Sequence, residues 1–258
     1  MVLQTCILFD FSFSPDLACF VFAGTVSSYN FHWYLTPPAT EKTSSKIAWN
    51  ISNNRLHFYL FIAGLLTAAF FAFRLIAYWP WLLLIGLATF LYSAPKINHP
   101  FFYPLRKIAI AKTIYLAFVW TLITALLPLL IEYRRLETVH VLFFINRFFF
   151  IYAICILFDY RDVESDRSAG IRSLITYFNE KGINRLFWGS ILITVLTFIY
   201  LAKYFSFLEM LALALPCFIL SLLYRRAKKD FSDYLYYFIL DGLMMMSAPL
   251  VVLAKFAR

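Results

Sequence analysis

Charge is what this sequence has least of. Lys, Arg, Asp and Glu make up 14% of its 258 residues, where a water-soluble domain carries about a quarter, and so few cannot cover a water-facing surface. Glycine and proline are scarce as well, at 7 and 10, which excludes a low-complexity or disordered chain. The four cysteines, Cys6, Cys19, Cys155 and Cys217, stand singly in apolar runs. With no CxxC pair, neither a zinc site nor a disulfide framework is suggested, and the thiols read as small buried apolar side chains. The first residues lack a basic stretch and a small-residue cleavage site, so no cleavable signal peptide is expected.

What is present is apolar: 62% of residues are hydrophobic, Phe alone numbers 30, and the mean hydropathy is +0.75. One all-α, polytopic transmembrane bundle over residues 1–258 is the expected fold. Crossing about 30 Å of hydrocarbon takes roughly 20 mostly apolar residues. Eight stretches qualify: 16–31, 57–77, 79–94, 108–131, 138–158, 183–202, 207–223 and 234–254. The third is short and bounded by Pro80 and Pro95, so it begins a little earlier or sits tilted. Residues 1–13 form a stub too short to cross; it resembles the second half of another helix, which fits a start further upstream.

Charge placement tests this topology. If successive loops alternate sides, fifteen basic residues fall on one side and six on the other, with Lys112 and Arg147 inside spans. The basic-rich side is expected to be cytoplasmic. Its loops are also the long ones, where function tends to sit. The net charge of +9 is carried mostly by these loops, which suits anionic lipid head groups or diphosphates rather than nucleic acid.

Ionisable residues in and beside spans are the candidates for chemistry. Asp159-Tyr-Arg-Asp162-Val-Glu-Ser-Asp166-Arg167 follows an apolar run directly. If the helix continues, its three aspartates fall on one face within an arc of about 60°. Clustered carboxylates repel unless a cation lies between them. Mg²⁺ prefers carboxylate oxygens and completes its shell with water and substrate phosphates. Spacing alone fits equally a solvated helix end, with Arg161, Glu164 and Arg167 as counter-charge. Beyond it, Gly170 can close the helix, and Arg167, Arg172 and Ser173 offer groups suited to phosphate oxygens.

The stretch from Asp159 to Leu174 closely resembles the second aspartate-rich motif, DxxDxxxD, of the UbiA-type intramembrane prenyltransferases. Leu91-Tyr92-Ser93-Ala94-Pro95, followed by Arg106 and by Lys112 in the next helix, is similar to that family's Tyr-Ser-x-Pro turn and following lysine. Its members have nine transmembrane helices and join a polyprenyl diphosphate to an aromatic or other acceptor with Mg²⁺. Eight spans plus the stub match nine helices with the first cut short. The resemblance implies Mg²⁺ on Asp159, Asp162 and Asp166, diphosphate contacts from Lys112, Arg167 and Arg172, and Tyr92 shielding an allylic cation. It also implies a lipophilic acceptor and a site at the cytoplasmic face of a bacterial inner membrane.

One motif departs from the family. Its first, roughly NDxxDxxxD, belongs at the end of the second helix, where this chain reads Tyr29-Asn30-Phe31-His32-Trp33-Tyr34. Asn30 stands at the motif's asparagine, while Phe31 and Tyr34 take its aspartate positions, and no carboxylate follows until Glu41. Asn30 and His32 offer neutral polar contacts there. Two other readings therefore stand beside the transferase: a UbiA-fold protein that binds a prenyl lipid without catalysis, and a small transporter using Arg147, Asp241 and Lys112 as an internal charge path. Mid-span, Asp241 is the expected partner of Arg147. Arg74 is expected to snorkel at the opposite edge, and His57, His99 and His140 to sit at the membrane interface.

Overall fold

A computed structural model describes residues 1–35, 49, 52–97, 99–107, 112–133, 135–168 and 173–257; the side chains at 106–107, 165–166 and 168 are outside the description. Among the described residues the chain is helical, with no strand. Seven segments are long and apolar enough to cross a membrane: Asn54–Arg74, Ile76–Lys96, Lys112–Glu132, Thr138–Glu164, Glu180–Leu201, Phe207–Ala227 and Tyr234–Phe256. These correspond to the second to eighth expected spans. The third does begin earlier, in a 3₁₀ turn at Ile76–Tyr78. The first expected span lies in a 20-residue helix, Pro15–Tyr34, which is not among the seven; Ser27, Ser28, Asn30 and His32 dilute the apolar character of its second half.

The main helices are labelled α1 (Val2–Leu8), α2 (Pro15–Tyr34), α3 (Asn54–Arg74), α4 (Trp79–Ser93), α5 (Lys112–Glu132), α6 (Thr138–Ser168), α7 (Glu180–Leu201), α8 (Phe207–Ala227) and α9 (Tyr234–Phe256). Contacts divide the chain into two compact units, Ser14–Arg106 and Met1–Phe13 with Lys107–Arg258.

In the unit Ser14–Arg106, α2 and α3 form an antiparallel pair. Ser14 caps α2 by accepting from the Leu17 amide at 3.3 Å, and Pro15 starts the helix where a missing N–H costs nothing. Small residues bring the two backbones together, as expected where lipid gives no hydrophobic drive between helices. A Cβ on Gly64 would lie 2.8 Å from the Ser27 nitrogen and 2.9 Å from the Ala23 oxygen. Ser27 donates to the Phe61 carbonyl at 3.2 Å, and Phe31 stacks on Phe61. At the far end Arg74 meets Asp16 at 2.9 Å, so this arginine has an ion partner beyond snorkelling.

In the other unit α6 is the central element, with Phe143, Ile151, Ala153, Ile154, Ile156 and Leu157 fully buried. It packs between α5 and α7, while α8 packs on α9. The stub is helical over seven of its residues, Val2–Leu8, and mostly buried, through Val2, Gln4, Thr5, Cys6 and Leu8. Its anchoring follows from a proline. Pro128 has no N–H to give to the Thr124 carbonyl four residues earlier, and α5 widens into a π turn at Leu122–Leu126 just before it. Thr5 takes the freed carbonyl, donating its hydroxyl to the Thr124 oxygen at 2.7 Å. Three cysteines are buried as expected; Cys19 is exposed.

Candidate functional site

The acidic stretch is helical as far as Ser168, so Asp159 and Asp162 lie one turn apart on α6. Asp159 is buried, with 4% of its surface exposed. Its Oδ2 accepts the Thr113 hydroxyl at 2.6 Å, which ties α6 to α5. The Cys155 thiol, one turn before Asp159 on α6, is buried as well. Two helices thus bring a carboxylate and a hydroxyl together, with Lys112 next to Thr113 in the chain. Charges in so apolar a setting interact strongly.

Asp162 is partly exposed, and its Oδ1 accepts from Arg161 Nε at 3.0 Å with Nη2 at the same distance. The Arg161 guanidinium carbon lies 4.2 Å from the ring centre of Tyr237, 4.9 Å from Phe158 and 5.2 Å from Tyr236. Both tyrosines belong to a π-helical segment, Tyr234–Leu240, that opens α9. Tyr236 is buried, and its hydroxyl lies 2.6 Å from the Ala227 oxygen and 3.2 Å from the Leu157 oxygen.

The unit Ser14–Arg106 holds two more of the expected residues. Asn30 Oδ1 accepts from His57 Nδ1 at 2.8 Å, and its Nδ2 donates to the Val26 carbonyl at 2.7 Å. Tyr92 stacks on His32 with ring centres 5.1 Å apart. His57, in the first turn of α3, is buried as the partner of Asn30.

Compared with known proteins, the chain matches no family model, no curated protein and no solved structure. Its site therefore rests on its own geometry.

Among the expected residues, Lys112, Asp159 and Asp162 stand in one unit, and Asn30 and Tyr92 in the other. Arg167 is exposed, the Asp166 side chain is outside the description, and Arg172 lies outside the described residues. Among the described residues no three His, Cys, Asp or Glu side chains cluster closely enough to hold a metal ion. The donors of Asp159 and Asp162 nonetheless suit Mg²⁺, which needs only one or two carboxylates when water and phosphate fill its shell.

One expectation is corrected. Arg147 does not pair with Asp241. Its guanidinium donates to the Met244 carbonyl at 2.9 Å and the Ser247 hydroxyl at 3.4 Å, and lies over Phe150. Asp241 sits one turn earlier on the same helix, out of that contact. Sequence reasoning also passed over Thr113 and the aromatic surround of Arg161. A signal for the first was present, since Thr113 directly follows the one lysine of its span.

Proposed function

We propose that this protein is a UbiA-like membrane prenyltransferase that transfers a prenyl group from a polyprenyl diphosphate to a lipophilic acceptor, with Mg²⁺. The observation that supports it most is the hydrogen bond to Asp159 from Thr113, the residue after Lys112, with Asp162 a turn beyond. In this reading Pro15–Tyr34 completes eight spans, and the site faces the cytoplasm of a bacterial inner membrane. That orientation rests on the concentration of basic residues in the long loops.

The reaction would break the allylic carbon–oxygen bond, release diphosphate, and join the allylic cation to a nucleophilic atom of the acceptor, which loses a proton. Bound Mg²⁺ supplies neutralisation of the leaving group. Asp159 and Asp162 would hold it, Thr113 fixes one Asp159 oxygen, and Lys112 would contact diphosphate oxygens. The resemblance also assigns metal ligation to Asp166 and diphosphate contacts to Arg167 and Arg172.

A second reading, a UbiA-fold protein that binds prenyl lipid without catalysis, is favoured by Asn30. Its amide is engaged with His57 and Val26 rather than with a carboxylate, so this end of α2 brings no negative charge of its own. Purified protein in lipid nanodiscs should bind geranylgeranyl diphosphate only with Mg²⁺, and Asp159→Ala or Asp162→Ala should abolish binding. Metal-independent binding that survives both changes would sink the magnesium site. Product formation with a panel of phenolic and quinol acceptors separates enzyme from binder.

A further inference from the structure

We propose that Arg161 is a positioning residue for the Asp162 carboxylate, holding Oδ1 so that Oδ2 is the oxygen presented to a divalent cation. The inference rests on the magnesium reading above and names a residue that reading does not use.

Neighbouring residues on a helix diverge by about 100° and do not normally face each other. Arg161 nevertheless brings two nitrogens to the same oxygen of the very next residue, both at 3.0 Å. Something must hold the guanidinium in that folded-back pose. Three rings do so: Phe158 from the preceding turn of α6, and Tyr236 and Tyr237 from the π-helical opening of α9. Tyr236 is immobilised in turn by burial and by its hydroxyl at the Ala227 and Leu157 carbonyls. Arg161 Nη1 is buried with no hydrogen-bond partner. The guanidinium is thus held largely by ring faces on one side and by Asp162 on the other, and each cation–π contact contributes about 0.5–2 kcal/mol.

The consequence falls on Asp162. Among the described residues Arg161 is the hydrogen-bonding partner of its carboxylate, and the contact is made through Oδ1. The second oxygen belongs to a side chain that is 32% exposed. A cation beside a metal-binding carboxylate repels the metal, so charge alone argues against an arginine here. Its contribution is geometric: one oxygen is clamped, the carboxylate plane is fixed, and ligation through the other oxygen starts from a set orientation.

This opposition of charge and geometry gives a test by sign. Mn²⁺ serves as a paramagnetic probe for the Mg²⁺ site in nanodisc-embedded protein, read by electron paramagnetic resonance. Arg161→Gln and Arg161→Lys should each weaken Mn²⁺ binding about tenfold or more. The lysine keeps the charge but has a single nitrogen to offer. Tyr237→Leu, which leaves every charge in place, should weaken it in the same direction. Tighter or unchanged binding in Arg161→Gln would overturn the inference, because loss of charge alone favours the metal. A metal-free readout separates this from failure of the magnesium reading. The Asp162 carboxylate stretch, isolated by infrared difference against Asp162→Asn, should change its splitting in Arg161→Gln and Arg161→Lys. If Mn²⁺ binding survives Asp162→Asn, the magnesium reading falls while the infrared result still decides the clamp. An unchanged infrared band overturns the clamp whatever the metal does.

Discussion

The Thr113 hydroxyl and the Asp159 carboxylate are 2.6 Å apart, and they join two membrane-spanning helices at a buried carboxylate of the acidic stretch. A hydrogen bond to a buried charged group contributes roughly 1.5–3 kcal/mol, and leaving the acceptor unmatched costs about as much. Thr113→Val, nearly isosteric, should therefore destabilise the protein by about 2 kcal/mol, read by thermal unfolding in detergent. Thr113→Ser should retain most of the stability. Equal losses in both would show that the methyl group, not the hydroxyl, matters.

Gly64 gives a second prediction. Any side chain there meets backbone rather than movable atoms, with the Ser27 nitrogen and Ala23 oxygen inside 3.0 Å. Gly64→Ala should push α2 from α3 and cost about 1–3 kcal/mol. Chemical crosslinking between cysteines placed at 27 and 61 should slow in parallel. Gly86, whose added Cβ meets nothing within 4 Å, is the control.

The stub tests the proline argument through a double-mutant cycle. Thr5→Val should cost about 1 kcal/mol by leaving the Thr124 carbonyl unmatched. In a Pro128→Ala background the new amide can reach that carbonyl along the helix, so the same change should cost less. Additive effects would mean that Thr5 and Pro128 act independently.

Lys228, just past the end of α8, predicts a pH dependence. Burial opposes its charge, but the Glu180 carboxylate at 2.5 Å and the nearby Tyr160 and Tyr224 outweigh it, and its pKa is raised. A raised folded-state pKa contributes stability that is fully present below the unfolded value, about 10.5 for lysine, and is lost as pH rises through the folded one. Thermal stability should hold to about that pH and fall above it. In Lys228→Met the fall should shrink. A decline already under way between pH 8 and 9 in the parent protein would contradict the assignment.

Much of this arrangement was legible in the sequence because a membrane simplifies the code. Apolar runs bounded by charge gave seven of the eight expected spans, since length and hydropathy are local properties. Asp159 and Asp162 were legible for the same reason: a spacing of three on a continuing helix fixes a shared face. Partners across helices were not legible. Arg147 and Asp241 are both mid-span charges, and simple complementarity pairs them. Yet the guanidinium is satisfied by the Met244 carbonyl, an acceptor that every residue possesses and no sequence pattern marks. The Arg161 surround depends on two consecutive tyrosines in a π-helical turn, and π turns shift which side chains share a face in a way that a period of 3.6 does not anticipate.

The bond from Thr5 to Thr124 spans 119 positions, and the pair Asp10–Lys255 spans 245. Each partner of the stub is therefore made well after it: Thr5 has its acceptor only once α5 exists, and Asp10 its lysine only once α9 does. Docking of Val2–Leu8 follows the insertion of α5, and the Asp10–Lys255 contact closes over it when α9 is in place.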